Sequence, residues 1–338
     1  MNNERYKYAG YWTRRFLSEY VVTVKNMSVN TQKSYRDTFR LLLPWISAKL
    51  HKDMDNLQLE DISSDVVKDF LNHLEEQRNC SVRTRNQRLA AISAFAKYVS
   101  INSPEHIEWC RRIRNIPVKK ASRKLVSYLE KDEMQILLDA PDRRTVQGWR
   151  DYVLLLFLYN TGARAEEAVR ITIHDISKQR GKDGLAIVTI TGKGGKTRRC
   201  PLWKNTTIAV ESLTKNDGTE VHLFLNRLGL PMTRFGVYEM VRRYAERLEQ
   251  QYPDLKRKRI SPHTIRHTTA THLLQSGVDI NTIRAWLGHV SINTTNIYAE
   301  INMKMKADAL ATLESPKKEK TLKKWRDDKN LMDFLNSL

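Results

Sequence analysis

Apolar and polar positions in the first third of the chain follow the spacing of helices. Stretches such as TFRLLLPWI and LAAISAFAKYV repeat apolar residues three and four positions apart. Polar residues of the kind that cap helices stand near three of these stretches, at Asn30, Ser64 and Ser81. The pattern predicts an all-helical N-terminal domain over residues 1–115.

The pattern becomes mixed after Leu129. EKDEMQILLDA and the strongly apolar WRDYVLLLFLYN predict two helices, whereas GLAIVTI and TRRCPLW predict strands on either side of a glycine-rich turn. From Arg234 helical spacing returns, first as one amphipathic helix and then as three short helices. Gly277 and Gly288 each follow a helical stretch, where a left-handed residue commonly ends a helix. We therefore expect a mainly helical domain with a small antiparallel β-sheet over residues 129–315.

The remaining segments are charged. The stretch over 116–128 contains Pro117 and a run of cations, which predicts an interdomain linker that adds phosphate contacts; its candidates are Lys119, Lys120, Arg123 and Lys124. The tail over 316–338 ends in LMDFLNSL, which is amphipathic but too short to fold alone. We expect this tail to dock on a neighbouring protomer or on its own domain, and the sequence does not choose between them.

The charge of the chain favours a polyanionic partner. Its 58 Lys and Arg residues exceed its 38 Asp and Glu residues, which leaves a net charge of +20. Such an excess suits nucleic acid, whose counterions are released on binding, although a generally basic, solvated surface is the alternative. The helix predicted after Ser81 carries Arg83, Arg85 and Arg88 in its first turns. Cations there oppose the helix dipole, so these residues indicate either a DNA-facing surface or a solvated helix end.

Several classes of protein are disfavoured. The longest purely apolar run, Val153 to Leu158, is too short to cross a bilayer, and MNNERYKYAG lacks the apolar core of a signal peptide. We therefore expect a cytoplasmic protein with no membrane partner. Cys80, Cys110 and Cys200 have no CxxC spacing, which argues against a disulfide framework or a zinc ribbon.

TGARAEE follows the most apolar helix and contains the first candidate for chemistry, Arg164. Its guanidinium can bind two oxygens of a phosphate, and Glu167 lies three residues on, where it can orient the guanidinium. Gly162 permits a close approach of backbone before the next helix. The alternative is an ordinary surface ion pair.

SPHTIRHTTATHLL contains the next candidates. Ser261 and Pro262 predict the start of a helix, which places His263 and Arg266 one turn apart on a common side. The imidazole can transfer a proton while the guanidinium binds a phosphate. HTIRH lacks the Glu of the zinc motif HExxH, so no metal site is predicted. His267 and His272 are predicted to pack or to form hydrogen bonds.

LGHVSINTTNIY contains His289 and Tyr298. A phenol that is positioned beside cations and a proton acceptor can attack phosphorus and form a covalent phosphotyrosine. Because the bond energy is kept in that ester, neither ATP nor another cofactor is predicted.

KGGKT resembles a nucleotide-binding loop but lacks its context. Such a loop ending at Thr197 requires Gly where Ile190 stands, and a strand-like segment follows instead of a helix. We interpret it as the tip of a hairpin that reaches into a DNA groove. Three cations on the hairpin are predicted to contact phosphates: Lys196, Arg198 and Arg199.

Taken in order, TGARAEE, GKGGKTR, HTIRHTTATHLL and LGHVSINTTNIYAEI resemble the tyrosine recombinase (phage integrase) family, with XerC/XerD-like proteins and mobile-element integrases as the nearest types. The resemblance covers roughly residues 129–313. The N-terminal helices are similar to the family's core-binding, SAM-like domain only in length, helicity and placement. Ala163, Glu166 and Ile265 depart from the common family residues, and these changes affect packing more than chemistry.

The resemblance implies a catalytic set with Glu167 as a supporting carboxylate: Arg164, Lys193, His263, Arg266, His289 and Tyr298. By the same resemblance, Lys193 protonates the departing 5′ oxygen. The implied enzyme is a metal-independent, site-specific DNA recombinase that leaves a 3′-phosphotyrosine and a free 5′ hydroxyl.

The resemblance also implies an assembly. Four protomers on two specific DNA sites exchange strands through a Holliday junction, and the tail passes between neighbours. The expected task is integration or excision of a mobile element on a prokaryotic nucleoid, with accessory recombinases or DNA-bending proteins as candidate partners. The alternatives are DNA relaxation by a type IB topoisomerase and a non-catalytic DNA-binding regulator.

Overall fold

The structure is a computed structural model that describes residues 6–121, 127–178, 185–214 and 222–288, together with 333 and 335–337. Its residues fall into two compact units, one within Met1–Lys124 and the other within Leu125–Leu338. Each unit has its own apolar core. The predicted fold class, a helical domain followed by a mainly helical domain with a small antiparallel sheet, is confirmed. The domain boundaries given above stay predictions.

In its described part, the N-terminal unit is helical apart from an isolated bridge between Tyr8 and Gln58. Its core is rich in aromatic side chains, among which Trp12, Phe16 and Phe95 are fully buried. Short 3-10 turns lie at Met54–Asn56 and Pro104–His106. The helices are α1 (Ala9–Arg15), which continues as a π-helix over Phe16–Val24, α2 (Val29–Leu50), α3 (Ser64–Glu76), α4 (Val82–Asn102) and α5 (Ile107–Arg114).

The predicted caps of these helices are right for α4 and displaced for α2 and α3. Ser81 caps α4 by accepting a hydrogen bond from the Thr84 N–H at 3.2 Å. The α3 cap is Ser63, one residue before the predicted Ser64, and α2 follows Ser28 instead of Asn30. Neighbouring polar residues compete for these positions, so composition alone does not select the cap.

The first residues of the predicted linker form hydrogen bonds and an ion pair with the N-terminal unit. Arg85 is 4% exposed and donates through Nη1 to the Pro117 carbonyl at 3.0 Å. The Asn86 side chain donates to the Lys119 carbonyl at 2.8 Å and accepts from the Lys119 N–H at 3.2 Å. Lys119 Nζ lies 2.5 Å from Glu75 Oε2. This part of the linker therefore continues the N-terminal unit.

The C-terminal unit surrounds one strongly apolar helix. Its helices are α6 (Lys131–Asp139), α7 (Val146–Thr161), α8 (Ala165–Ala168), α9 (Lys204–Thr214), α10 (Arg234–Gln251), α11 (Pro262–Gln275) and α12 (Ile280–Leu287). Short 3-10 turns lie at Ile173–Asp175, Lys193–Gly195 and Pro253–Lys258. Helix α7 is buried on nearly every side because its residues 153–158 are all apolar and buried. None of the described helices has the length and apolarity that crossing a bilayer requires.

The sheet has three antiparallel strands in the order β1 (Ile176–Lys178), β2 (Ala186–Thr191) and β3 (Thr197–Pro201). Val188 in the central strand pairs with Ile176 on one side and with Cys200 on the other. The predicted hairpin of β2 and β3 is confirmed. Strand β1 escaped the sequence analysis because three residues are too few to show alternation.

The end of α7 is fixed against α11 and α12. The Thr269 hydroxyl donates to the Tyr159 carbonyl at 2.7 Å, and the Tyr159 hydroxyl is hydrogen-bonded to His272 Nδ1 at 2.7 Å. From α12, Trp286 Nε1 donates to the Asn160 carbonyl at 3.3 Å. These contacts bring the last turn of α7, the middle of α11 and the last turn of α12 together.

The Ser81 cap generates a stability prediction. Replacing the hydroxyl in Ser81→Ala leaves the Thr84 N–H without its acceptor, and we expect the free energy of unfolding to fall by about 1 kcal/mol. Ser28→Ala is the matched control, because Ser28 precedes α2 but its hydroxyl caps no N–H there. Urea denaturation followed by circular dichroism measures both variants. Equal losses would contradict the assigned cap.

Candidate active site

Arg164 stands at the N-cap of α8, directly after the turn that ends α7. Its Nη1 donates to Glu167 Oε1 at 2.6 Å, and its backbone N–H donates to Glu167 Oε2 at 3.0 Å. The Arg164 side chain is 43% exposed, whereas that of Glu167 is 5% exposed. The contact predicted between the two residues is therefore present, and a buried carboxylate holds a partly exposed guanidinium.

Arg198 does not face outward. Its Nη2 donates to Glu167 Oε2 at 2.7 Å, its Nε donates to the Trp286 carbonyl at 2.8 Å, and its side chain is 9% exposed. Arg198 is therefore engaged within the protein, and its contact with phosphate stays a prediction. Alternation along β3 explains its inward position, because Arg198 shares a face with buried Cys200 while Arg199 points the other way and is exposed.

Glu167 is ionised at neutral pH in spite of its burial. Burial raises the pKa of a carboxyl group, but the hydrogen bond and charge of Arg198, followed by the hydrogen bonds from Arg164, outweigh it. The pKa of Glu167 therefore lies below its ordinary value. A buried carboxylate between two guanidinium groups ties α8 to β3 electrostatically.

Arg266 is buried between the ends of two helices. The predicted helix start is confirmed, since Ser261 caps α11 and Pro262 is its first residue. Arg266 is 2% exposed; its Nη1 donates to the Gly162 carbonyl at 2.5 Å and its Nη2 to the Leu287 carbonyl at 2.6 Å. Its charge therefore lies at the C-terminal ends of α7 and α12, where helix dipoles favour a cation.

Two glycines allow this close packing. Gly162 ends α7 with φ of +60°, and a Cβ there would lie 2.5 Å from Leu287 Cδ2. Gly288 ends α12 with φ of +66°, and a Cβ there would lie 3.2 Å from Arg198 Cδ. Both positions combine a left-handed backbone with a crowded neighbour, so both require glycine.

His263 is exposed at the start of α11, one turn before Arg266. Its ring centroid lies 4.3 Å from that of His267, with the ring planes at 66°. Desolvation by surrounding protein atoms lowers the pKa of His263, and the charges of Arg266 and Arg164 lower it further. Burial, His263 and Arg266 together lower the pKa of His267 to about 4. His263 is therefore a neutral imidazole at neutral pH and can accept a proton.

The remaining members of the predicted catalytic set are described in part or not at all. Lys193 opens the turn Lys193–Gly195 between β2 and β3, where the sequence predicted a hairpin tip. The structure does not describe the position of the Lys193 side chain. His289 and Tyr298 also lie outside the described residues, and α12 with Gly288 leads directly into their segment.

The predicted DNA-binding cations of the N-terminal unit differ in exposure. Arg83 is exposed, whereas Arg85 is buried and bound to the Pro117 carbonyl. The Arg85 guanidinium is thus engaged within the N-terminal unit, and its contact with phosphate stays a prediction. Arg88 is half-buried and donates to the Ser34 carbonyl at 3.0 Å, which joins α4 to α2.

The other cations that were predicted to bind DNA lie on the linker and on the hairpin. Lys196 and Arg199 are exposed on the hairpin, as are Lys119 and Lys120 near the end of the N-terminal unit. Arg123 and Lys124 lie outside the described residues. Within the described ranges, no three His, Cys, Asp or Glu side chains gather as ligands for a metal ion.

Sequence reasoning missed the groups that hold the site together. The Gly162, Trp286 and Leu287 carbonyls accept the arginine donors, and backbone acceptors leave no signature in composition. The role of Arg198 did have a signal, because strand alternation places it on the same face as Cys200.

The buried carboxylate generates the second stability prediction. Glu167→Gln removes the charge between Arg164 and Arg198, and we expect the free energy of unfolding to fall by about 3 kcal/mol at pH 7. Because folding lowers the pKa of Glu167, its stabilisation is present above the ordinary carboxyl pKa and is lost as pH falls through the folded value. The difference between the wild-type protein and the variant should therefore shrink in acid.

Glu166→Gln is the matched control. Glu166 is the adjacent residue, but its side chain is 47% exposed and pairs with exposed Arg170 at 2.7 Å. Such a surface pair contributes less than about 1 kcal/mol. Guanidinium denaturation at pH 7 and at pH 4 measures both variants, and equal losses in the two would contradict the role assigned to Glu167.

Comparison with known proteins supports one family over both units. Residues 127–305 match the phage integrase family, and residues 14–102 match the N-terminal SAM-like domain of phage integrases. The putative integrase/recombinase y4rC of Sinorhizobium fredii is 38% identical over 325 residues, which cover 96% of each chain. Tyrosine recombinase XerD of Halalkalibacterium halodurans is 30% identical over 74% of this chain and 81% of that protein.

Two solved structures share the fold. The XerH site-specific recombinase bound to its palindromic difH substrate covers 86% of this chain and 82% of its own, with a TM-score of 0.65 and 23% identity. The Tn1549 transposon integrase in complex with a circular intermediate DNA covers 89% of this chain and 99% of its own, with a TM-score of 0.69 and 18% identity. The resemblance suggested by the sequence motifs is confirmed: this chain belongs to the phage integrase family.

Proposed function

We propose that this chain cleaves and rejoins duplex DNA at specific sites, with Tyr298 as the nucleophile. The observation that carries the proposal is the convergence of Arg164, His263 and Arg266 from α8 and α11. Arg266 Nη1 donates to the carbonyl of Gly162, two residues before Arg164, at 2.5 Å, and His263 lies one turn before Arg266 on α11. Desolvation, followed by the charges of Arg266 and Arg164, lowers the pKa of His263. Cations beside a neutral proton acceptor are what cleavage of a phosphodiester by a phenol requires.

In the proposed cleavage step, the Tyr298 oxygen attacks phosphorus in line with the bond to the 5′ oxygen. His263 accepts the phenolic proton, and Lys193 donates a proton to the departing 5′ oxygen. A tyrosine–phosphorus bond forms as the bond to the 5′ oxygen breaks, which leaves a 3′-phosphotyrosine and a 5′ hydroxyl. Attack by a 5′ hydroxyl from the other DNA site reverses these steps and joins the strands.

The two arginines have different parts in this step. Arg164 is 43% exposed, so its guanidinium can donate directly to the non-bridging oxygens of the phosphate. Arg266 is 2% exposed and contributes positive charge from beneath while it fixes the carbonyls of Gly162 and Leu287. His289 is proposed as a further donor to the phosphate.

The size of the barrier explains why the site needs several groups. An enzyme must lower the barrier to cleavage of a phosphate ester by up to about 23 kcal/mol. One preorganised donor contributes about 3 to 4 kcal/mol, and one general acid or base about 3 to 5 kcal/mol. No single residue is sufficient, so the donors, the proton acceptor and the proton donor must act together.

Duplex DNA is the proposed partner. The net charge of +20 and the exposed cations Arg83, Lys120, Lys196 and Arg199 support backbone contacts on both units. The names of y4rC, an integrase/recombinase, and of the Tn1549 transposon integrase support a role in the movement of a mobile element over DNA relaxation or passive regulation.

The proposal extends to the assembly. Four protomers pair two DNA sites in the cytoplasm, on the nucleoid, and each tail over 316–338 docks on a neighbour. Accessory recombinases or DNA-bending proteins are proposed to act at the same sites. The symmetry of two paired sites supports an assembly of four subunits, because each site presents two strands to be cut.

Tyr298→Phe tests the nucleophile. The variant keeps the ring but lacks the attacking oxygen, so we expect it to bind its DNA site as the wild-type protein does and to form no covalent adduct on a nicked suicide substrate. Denaturing gel electrophoresis measures the adduct. Tyr252→Phe, at an exposed tyrosine after α10, is the control and should form the wild-type amount. A covalent adduct in Tyr298→Phe would refute the assignment.

The pH dependence of adduct formation tests His263. Because the pKa of His263 lies below 6.5, the imidazole is neutral above that pH, and its ability to accept a proton is lost as pH falls through the lowered pKa. Single-turnover rates at subsaturating suicide substrate report the ionisation of the free protein and should therefore fall with acid only below pH 6.5. His263→Ala should be slower by about 100-fold and should lose this acid limb.

His174→Ala, at an exposed histidine in the turn Ile173–Asp175, should keep both the rate and the acid limb. Circular dichroism at each pH separates loss of activity from unfolding. An unchanged acid limb in His263→Ala would contradict the role of His263 as the proton acceptor.

A further inference from the structure

Two arginine side chains hold the last carbonyls of α12. Arg198 from β3 donates through Nε to the Trp286 carbonyl at 2.8 Å, and Arg266 from α11 donates through Nη2 to the Leu287 carbonyl at 2.6 Å. Carbonyls at the C-terminal end of a helix lack partners within the helix, and cations are favourable there. Gly288 then ends the helix with φ of +66°. The direction in which the chain leaves α12 is therefore set by side chains from two other elements.

Arg198 connects this helix end to the phosphate-binding side of the site. Its Nη2 lies 2.7 Å from Glu167 Oε2, and Glu167 Oε1 lies 2.6 Å from Arg164 Nη1. A continuous series of charged and polar contacts thus runs from Arg164 through Glu167 and Arg198 to the Trp286 carbonyl.

From this arrangement we infer that Arg198 is a positioning residue for the nucleophile. It fixes the end of α12, after which the chain continues to His289 and Tyr298, relative to Arg164. The inference rests on the proposed function, because it assigns Arg198 to the placement of Tyr298 on the phosphate. Arg198 touches neither DNA nor a reacting atom in this role.

Two separate donor nitrogens make these contacts. The Nε and Nη2 of Arg198 belong to one rigid, planar group and each binds its own acceptor, whereas a lysine has a single nitrogen. Space is also limited, since a Cβ on Gly288 would lie 3.2 Å from Arg198 Cδ and 3.3 Å from its Nη1. The guanidinium therefore packs against the glycine that ends α12, and a shift of one would move the other.

Arg198 could also act through the hairpin that carries Lys193. It pairs with Ile190 in the register of β2 and β3, and the turn Lys193–Gly195 lies between these strands. An experiment must therefore separate placement of the nucleophile from placement of the proton donor.

Arg198→Met keeps the length of the side chain and removes both contacts. We expect its dissociation constant for the DNA site to stay within about 3-fold of wild type, because the Arg198 side chain is 9% exposed and its donors are engaged by Glu167 and the Trp286 carbonyl. Its rate of adduct formation on saturating suicide substrate should fall by about 100-fold, as misplacement of a reacting group by about 1 Å does. Arg242→Met, at an arginine with a 57% exposed side chain on α10, should match the wild-type protein in both measurements.

A substrate with sulfur in place of the bridging 5′ oxygen separates the two routes. Its thiolate leaves without protonation, so the substrate should restore Lys193→Ala to nearly the wild-type rate. It should not restore Arg198→Met, because a misplaced tyrosine attacks either substrate poorly. Full restoration of Arg198→Met on this substrate would overturn the inference, as would a wild-type rate on the ordinary substrate.

Arg198→Lys tests whether a loss of folding explains the slower rate of Arg198→Met. It keeps a positive charge beside Glu167 but cannot also reach the Trp286 carbonyl. We expect a thermal midpoint close to wild type and adduct formation at least about 10-fold slower. A wild-type rate in Arg198→Lys would overturn the inference. Absence of any adduct with the wild-type protein would overturn the proposed function as well, so the two failures are distinguishable.

Discussion

The candidate site depends on one buried carboxylate, Glu167, which lies between the guanidinium groups of Arg164 and Arg198. A carboxylate taken out of water is costly unless cations and hydrogen bonds surround it, and here both oxygens are bound. The requirement for two cationic partners constrains the positions of two arginines. It requires β3 to bring Arg198 inward, and it requires Arg164 to stand at the edge of the pocket, where its other donors can meet a phosphate.

The same logic of burial and compensation applies to the backbone around the site. The ends of α7 and α12 meet, and their unpaired carbonyls would be expensive to bury alone. Arg266 binds one carbonyl from each end, which places a buried cation between the two helix termini. Gly162 and Gly288 make this possible because both adopt left-handed backbone conformations, and because a Cβ would lie 2.5 Å from Leu287 at Gly162 and 3.2 Å from Arg198 at Gly288. The electrostatics of the site thus follow from how the helices end.

Periodicity, caps and glycine stops predicted most of the helices and the β2–β3 hairpin, because these signals are local. Motif spacing also identified Arg164, Glu167, His263 and Arg266, which the structure brings together. The positions of Arg85 and Arg198 could not be read from charge, since each lies among exposed cations in the sequence; for Arg198, alternation along β3 was the available signal. The placement of His289 and Tyr298 stays a prediction, because both lie outside the described residues.

In the proposed mechanism, the surroundings of His263 keep it in the state that a proton acceptor needs. The described side chains of the site include the guanidinium groups of Arg164, Arg198 and Arg266 and the buried carboxylate of Glu167. Desolvation, followed by the charges of Arg266 and Arg164, lowers the pKa of His263. A bound phosphodiester carries one negative charge, which offsets part of that effect. His263 is thus neutral before DNA arrives and gains proton affinity when the phosphate is in place. Under the proposed function, the charge that attracts the substrate therefore also couples substrate binding to activation of the tyrosine.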